Sequence, residues 1–327
     1  MIVAISIIAG FILLLIGGET LVNGSVSVAK RLKVPPLVVG IVLVGFGTSA
    51  PELVTCVQAA LQGAPDIAVG NIVGSNIANI LLVIGVAALF MPIDTPVSAF
   101  KRDGIILTVF TFIFVPFCIY GDINRYVGAF FLTLFFSYIF YTYMAEKKKR
   151  YKEESDKAIK KSIKDADYTI EYPPHSLWTA LALTFGGIAL TVIGANFLVD
   201  GATAIARIYG ISESIIGLTI VAIGTSLPEL ATAVIAGIKG HSDVAIGNIL
   251  GSNIYNMLGV LGTTAIIQPL SVPMDIRHFD IWIMAIATIL LILLSLRHYR
   301  ISRGEGAIMV TIYLSYLFIL YMETITA

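Results

Sequence analysis

The chain has 327 residues, of which 57% are hydrophobic and only 13% are charged, and its formal net charge is zero. A soluble domain carries about 25% charged residues, so this composition excludes an ordinary soluble protein and indicates a membrane protein with several spans. The chain also lacks the basic surface that nucleic-acid binding requires, so we expect no nucleic-acid partner.

Ten apolar segments are long enough to cross a lipid bilayer, which takes about 20 residues. The first has no basic region before it and continues into a long helical pattern, so it is predicted to be a transmembrane helix rather than a cleaved signal. The predicted fold is therefore an all-α membrane protein. The ten predicted spans are residues 2–28, 35–61, 65–90, 103–120, 125–145, 176–206, 212–237, 243–268, 278–296 and 305–325.

A lysine-rich polar segment, residues 146–175, separates the fifth and sixth predicted spans. Mixed charge runs usually stay hydrated, so this segment is predicted to link two halves, residues 1–145 and 176–327. Positive loops stay in the cytoplasm, and a cytoplasmic linker after five spans puts both termini outside the plasma membrane. The other basic clusters agree with this orientation: Lys30, Arg31, Lys33, Lys101, Arg102, Arg297, Arg300 and Arg303.

The two halves carry the same motifs in the same order. A shift of 177 residues aligns residues 17–92 with residues 194–269 without a gap. Residues 47–53 read Gly-Thr-Ser-Ala-Pro-Glu-Leu, and six of these seven residues recur at 224–230. Because each half has five spans, an odd number, the second half must enter the membrane from the opposite side. Two inverted five-helix repeats are a transporter architecture, with the substrate site near the midplane.

Each copy of this motif places a proline and a glutamate inside an apolar run, as Pro51 and Glu52 and again as Pro228 and Glu229. Proline cannot donate to the carbonyl one turn earlier, so each helix is predicted to break and leave main-chain oxygens free. A carboxylate at membrane depth usually marks a functional site. Two carboxylates that face each other are tolerable only with a cation or protons between them.

A second doubled motif, Gly-Asn-x-x-Gly-Ser-Asn-x-x-Asn at residues 70–79 and 247–256, adds hydroxyl and amide groups. Ser75 and Asn79 are four residues apart and share a helix face, as do their equivalents in the second half. Carboxylate, carbonyl, hydroxyl and amide oxygens are the hard ligands that suit Ca²⁺ and Na⁺. Neither motif contains His or Cys, which argues against zinc.

At these residues the sequence resembles the cation/Ca²⁺ antiporter superfamily, and within it the prokaryotic sodium/calcium exchangers. The two motifs look like that family's alpha-repeats, and the resemblance covers nearly the whole chain. It implies a secondary active antiporter that needs no cofactor and exchanges Na⁺ for Ca²⁺ by alternating access, as its first and sixth helices slide across a rigid core. The implied ion ligands are the carboxylates of Glu52 and Glu229, main-chain oxygens of Thr48 and Thr225, and the side chains of Ser49, Ser75, Ser226, Ser252, Asn79 and Asn256.

One departure from the family pattern bears on coupling. Potassium-dependent members have Asp where this chain has Asn256, and commonly Asp where it has Glu229, so the resemblance implies K⁺-independent exchange. With both glutamates ionised the site charge is −2, and three Na⁺ would leave +1, so three-for-one exchange is expected to be electrogenic. The nearest alternative is an H⁺/Ca²⁺ antiporter of the same superfamily, in which the glutamates titrate.

Two other classes fit the sequence less well. A cation channel is disfavoured by inverted repeats around a closed midplane site. An enzyme is disfavoured because no histidine lies near the motifs. Nothing in the sequence implies an oligomer.

Overall fold

The computed structural model describes residues 2–34, 36–95, 97–161, 175–208 and 222–326. The described helices of the first half are α1 (Ile2–Leu32), α2 (Pro36–Val39, the π-helical segment Gly40–Val44 and Gly45–Thr48), α3 (Ala50–Leu61), α4 (Pro65–Ala78, the π-helical segment Asn79–Val83 and Ile84–Phe90), α5 (Val97–Tyr120) and α6 (Arg125–Lys161). Those of the second half are α7 (Leu177–Ile208), α8 (Ala222–Thr225), α9 (Leu227–Ile238), α10 (Ser242–Ile254, the π-helical segment Tyr255–Val260 and Leu261–Ile267), α11 (the π-helical segment Ile276–Asp280 and Ile281–His298) and α12 (Arg303–Thr326).

Among the described residues, eight helices are long and apolar enough to cross a membrane, and the bent pair of α2 and α3 brings this number to nine. The predicted class, an all-α membrane protein, is confirmed. The predicted span 212–237 lies partly outside the described residues, which include its later part as α8 and α9. Helix α6 continues to Lys161, so the first part of the predicted linker is helical.

The predicted helix breaks are present at equivalent positions in the two halves. Helices α2 and α3 meet at Ser49 with a bend of 46°. Helices α8 and α9 meet at Ser226, whose backbone has nearly the same φ and ψ as Ser49. Pro51 and Pro228 each lie in the first two residues of the following helix, where a missing N–H leaves no intrahelical bond unmade. The prolines therefore end one helix and begin the next.

Helices α1 and α7 pack antiparallel, with their backbones in contact. A Cβ on Gly10 would lie 2.7 Å from the carbonyl oxygen of Gly194, and one on Gly24 would lie 2.6 Å from the backbone nitrogen of Thr184. Such close approach is possible only where a residue has no side chain. The glycines thus make α1 and α7 a tightly joined pair.

This helix pair packs unequally against the two broken helices. Helix α1 contacts α9, with Gly18 close to Ile235, and Lys239 at the end of α9 forms an ion pair with Glu19 at 2.8 Å. The equivalent face of α3 is uncovered, since Val54 is 54% exposed. The described structure is therefore asymmetric about its centre, although its two halves share a sequence pattern.

Helices α4 and α10 form the centre of the molecule. Helix α10 is buried along its whole span and α4 along most of its span. The outer helices approach them closely, α12 on α4 at Gly306 and Gly85, and α6 on α10 at Gly128 and Gly262. Both copies of the Gly-Asn-x-x-Gly-Ser-Asn-x-x-Asn motif lie on these two helices, so their polar side chains must find partners within the protein.

Two pairs of two-residue strands link loops of the two halves. Strand β1 (Ile93–Asp94) pairs antiparallel with β4 (Arg300–Ile301), and β2 (Asp122–Ile123) pairs antiparallel with β3 (Leu270–Ser271). The sequence did not predict them, because two residues are too few to show the alternation of a strand. Each pair holds a loop of the first half next to a loop of the second half.

Candidate cation site

The helix breaks bring two carboxylates into the protein interior. Glu52 lies in the first turn of α3 and Glu229 in the first turn of α9, and the exposed fraction of each is 0%. Both therefore lie at the positive end of a helix dipole, which favours a negative charge. Ser49, three residues before Glu52, donates to Oε1 of Glu229, so the first turns of α3 and α9 meet in the interior. Within the described part of the chain neither carboxylate forms an ion pair with Lys or Arg.

Serine hydroxyls hold the carboxylate of Glu229 but not that of Glu52. Ser49 donates to Oε1 of Glu229 at 3.1 Å, and the Ser252 hydroxyl lies 3.4 Å from the same oxygen. Ser252 is also 3.3 Å from the carbonyl oxygen of Gly45, and its single proton can satisfy only one of the two. Neither oxygen of Glu52 has a hydrogen-bond partner among the described residues. One carboxylate is thus fixed by protein donors, and the other is left to interact with something else.

The site contains an unusual number of buried oxygens without partners. Buried polar groups in folded proteins are nearly always hydrogen-bonded, so each exception needs an explanation. Within the described chain, seven unpartnered buried oxygens belong to predicted site residues. They are Oε1 and Oε2 of Glu52, Oε2 of Glu229, Oγ of Ser75, Oγ of Ser226, Oδ1 of Asn79 and Oδ1 of Asn256. Acceptor atoms that face no donor are what a bound cation requires.

The structure places all ten predicted site residues at the helix breaks or on the central helices α4 and α10. Nine are buried and Thr225 is partly exposed. Hydrogen bonds join Ser49, Glu229 and Ser252 directly. The equivalent bonds of the first half, from Ser226 and Ser75 to Glu52, are not formed. The site is thus assembled from both halves, with the Glu229 side closed by hydrogen bonds and the Glu52 side unpaired.

Asparagines that were not among the predicted ligands also contribute to the site. The Thr48 hydroxyl lies 3.1 Å from Oδ1 of Asn248, and the Thr225 hydroxyl lies 3.5 Å from Oδ1 of Asn71. Asn79 donates its amide to Oδ1 of Asn253 at 3.3 Å, which leaves its own carbonyl oxygen free. The signal was present in the sequence, because these asparagines belong to the doubled motif, but their partners are 154 to 200 residues away.

The arrangement can bind a hard cation. It offers two carboxylates, which carry a combined charge of −2 when both are ionised, and several neutral hydroxyl and amide oxygens, all in the protein interior. An uncompensated pair of buried carboxylates is strongly unfavourable, so binding a cation would remove most of that penalty. A cation bound there would lie between helices of the two halves.

Known proteins share this architecture. The family model described as "Sodium/calcium exchanger protein" matches residues 2–144 and 179–322. The CaxA protein of Alkalimonas amylolytica is 37% identical over 325 residues, which cover 98% of this chain and 99% of that protein. The sodium/calcium exchanger MaX1 of Methanosarcina acetivorans is 33% identical over 342 residues, which cover 96% of this chain and 97% of that protein.

A solved structure has the same fold. It is the sodium-calcium exchanger NCX_Mj soaked with 2.5 mM Na⁺ and 1 mM Sr²⁺, which matches with a TM-score of 0.81 at 28% identity and covers 97% of this chain and 98% of that one. The family consists of membrane transporters, not enzymes. The matched residues include both helix breaks and both central helices, and they show that this chain belongs to the sodium/calcium exchanger family.

Proposed function

We propose that this chain is a Na⁺/Ca²⁺ antiporter of the plasma membrane and that both ions bind between Glu52 and Glu229. The observation that carries the proposal is the group of buried, unpartnered oxygens around these two carboxylates. One Ca²⁺ neutralises the charge of −2, and the available oxygens are of the type that Ca²⁺ and Na⁺ prefer. The exchange of Na⁺ for Ca²⁺ by related proteins supports the choice of ions.

Within this proposal the ligands divide by charge. The two carboxylates, with main-chain oxygens of Thr48 and Thr225, bind Ca²⁺, because a divalent cation needs the full negative charge. The neutral side chains suit Na⁺, which carries a single charge. These neutral ligands are Ser49, Ser75, Ser226, Ser252, Asn79 and Asn256.

We further infer that the chain crosses the membrane ten times. Arg31 at the end of α1 donates to the carbonyl oxygen of His175 just before α7, so these two ends lie on one side. The chain between them must therefore cross an even number of times. Helices α4, α5 and α6 supply three crossings, so the bent pair of α2 and α3 supplies the fourth and is one broken span rather than a re-entrant loop.

The strand pair of β1 and β4 supports the same count for the second half. These strands lie on one side, and between them α5, α6, α7, α10 and α11 supply five crossings. The part of the chain that contains α8 and α9 must therefore supply a sixth. Ten spans divide into halves at residues 1–145 and 176–327, and the antiparallel contact of α1 with α7 agrees with inverted repeats. The basic residues of segment 146–175 favour a cytoplasmic linker and termini outside.

The ion that drives transport can be identified by flux measurements. Purified protein in liposomes would be tested for ⁴⁵Ca²⁺ uptake under Na⁺, K⁺ and H⁺ gradients applied one at a time. We expect an outward Na⁺ gradient alone to drive uptake, because neutral hydroxyls and amides accompany each glutamate. Uptake driven by a pH gradient without Na⁺ would instead support the H⁺/Ca²⁺ alternative, and a requirement for K⁺ would contradict K⁺-independent exchange.

The stoichiometry predicts a dependence on voltage. If three Na⁺ leave the vesicle for each Ca²⁺ that enters, one positive charge moves outward per cycle. An inside-positive potential is therefore expected to accelerate Ca²⁺ uptake into Na⁺-loaded vesicles, and an inside-negative potential to slow it. The measurement is ⁴⁵Ca²⁺ uptake under potentials of both signs at fixed ion gradients. A rate that is the same at both potentials would show that exchange is electroneutral.

A further inference from the structure

Two hydrogen bonds cross between the halves at equivalent positions. The Thr48 hydroxyl lies 3.1 Å from Oδ1 of Asn248 and equally close to the carbonyl oxygen of Val44, and the Thr225 hydroxyl lies 3.5 Å from Oδ1 of Asn71. The shift of 177 residues converts one pair into the other. In each pair the threonine is the last helical residue before a break, and the asparagine lies on the central helix of the opposite half. Each bond therefore ties a helix break to the other half of the protein.

We propose that Asn71 and Asn248 are positioning residues, and that each holds a helix break so that the main-chain oxygen of its threonine stays directed at the ion. This inference rests on the proposed function. Each threonine is the last helical residue before the main chain turns into the break. A side-chain bond to a buried central helix adds a constraint from the opposite half of the protein.

The two bonds differ in what supports the asparagine. Asn71 donates its amide to Sγ of Cys56 at 3.3 Å, and the Cys56 thiol donates to the carbonyl oxygen of Ala68 at 3.4 Å. With its NH₂ group engaged, Asn71 turns its carbonyl oxygen towards Thr225. Ala233 occupies the position equivalent to Cys56 and has no group that could accept a hydrogen bond. Accordingly Nδ2 of Asn248 has no partner in the part of the chain that the structure describes.

Cys56 is therefore assigned a function of its own. It is fully buried, and its thiol sets the orientation of the Asn71 amide. This support exists only on the Thr225 side. Loss of the thiol should weaken the bond between Asn71 and Thr225 and leave the bond between Thr48 and Asn248 unchanged.

Double-mutant cycles test the two pairs. The substitutions are Asn71→Leu with Thr225→Val, and Asn248→Leu with Thr48→Val, and the readouts are the half-saturating Ca²⁺ concentration and the maximal rate of uptake into Na⁺-loaded liposomes. We expect each single substitution to raise the half-saturating concentration about tenfold, because it leaves a buried partner unsatisfied. The half-saturating Ca²⁺ concentration of each double variant should be no higher than the higher of its two single-variant values, because both substitutions break the same bond.

The matched control is a double variant that combines one residue from each of the two hydrogen-bonded pairs. Asn71→Leu combined with Thr48→Val changes residues from different pairs, which share no hydrogen bond in the described part of the chain, so their effects should multiply to about a hundredfold. Thr48→Ser and Thr225→Ser keep the hydroxyl, and each should have a lower half-saturating Ca²⁺ concentration than the corresponding valine variant. A purely structural role would lower the yield of folded protein without this pairwise pattern. Effects that multiply in the contacting pairs as well would overturn the inference.

The thiol gives a milder test, because Cys56→Ala and Cys56→Ser leave Asn71 and both threonines in place. Cys56→Ala should raise the half-saturating Ca²⁺ concentration, whereas Cys56→Ser should keep it close to the wild-type value. In the Asn71→Leu background, Cys56→Ala should cause no further increase. An unchanged Ca²⁺ affinity in Cys56→Ala would refute the assignment of the thiol. If the wild-type protein itself fails to exchange Na⁺ for Ca²⁺, the proposed function fails, which these comparisons distinguish from failure of the positioning role.

Discussion

Glu52→Gln and Glu229→Gln are each expected to abolish Ca²⁺ transport while the protein remains folded. Either substitution halves the negative charge of the site and replaces a carboxylate oxygen by an amide group that cannot bind a cation. A divalent cation would then be left with an uncompensated charge in a buried site. The measurement is ⁴⁵Ca²⁺ uptake into Na⁺-loaded liposomes, with size-exclusion chromatography to verify folding. Normal flux in either variant would refute the site.

Thermal unfolding distinguishes loss of the ion from loss of the fold. A ligand that binds only the folded state stabilises it, so Ca²⁺ should raise the melting temperature of the wild-type protein. We expect this increase to disappear in both variants. Glu19→Gln is the control, because Glu19 is 60% exposed and interacts with Lys239 rather than with the site. The control variant should keep the Ca²⁺-dependent increase.

The two variants should differ in the absence of Ca²⁺. Glu52 has no hydrogen-bond partner among the described residues, so its neutralisation removes a buried charge and should not lower the melting temperature. Glu229 accepts hydrogen bonds from Ser49 and lies within reach of Ser252, and its replacement disturbs both. Glu229→Gln should therefore be the less stable of the two. The reverse order would contradict the asymmetric hydrogen bonding.

Gly187→Ala is expected to destabilise the protein and to slow transport. A Cβ at this position would lie 2.4 Å from the backbone nitrogen of Leu21 and 2.6 Å from its Cα. These backbone atoms cannot move aside without separating α1 from α7. Overpacking of this kind lowers the free energy of unfolding by about 1–3 kcal/mol. Thermal unfolding and ⁴⁵Ca²⁺ uptake would both be measured.

The neighbouring glycine provides a matched control. Gly186 is exposed, and a Cβ there would have no described atom within 4 Å. An exposed glycine within a helix is less favourable than alanine by about 1 kcal/mol, so Gly186→Ala should keep or raise stability. Equal effects of the two substitutions on stability would mean that the contact of α1 with α7 is not the reason why Gly187→Ala destabilises the protein.

Local backbone structure was predictable from the sequence, because the responsible interactions lie within one helical turn. Pro51 and Pro228 lack an N–H whatever surrounds them, and the helices break at both positions. The membrane class follows equally directly from composition and segment length, which are properties of the chain and not of its fold. The length of α6 was not predicted, because a charged segment that follows a span can either continue the helix into water or unfold.

Contacts between distant residues depended on the tertiary structure. The strand pairs and the partners of Asn71 and Asn248 join segments from different halves, and no local pattern specifies which segments meet. Sequence also could not distinguish one copy of a motif from the other. Ser49 and Ser226 occupy equivalent positions, yet Ser49 has a carboxylate partner and the Ser226 hydroxyl has none within the described chain.

The repeat encodes the chemical groups that enter the membrane interior, which are two prolines, two glutamates and a doubled set of hydroxyls and amides. How these groups are shared depends on the packing of helices from both halves. The helix pair of α1 and α7 covers α9 and leaves the equivalent face of α3 exposed, so two nearly identical motifs have different surroundings. Repeated sequence imposes repeated local geometry, but packing within one chain can satisfy the two copies differently.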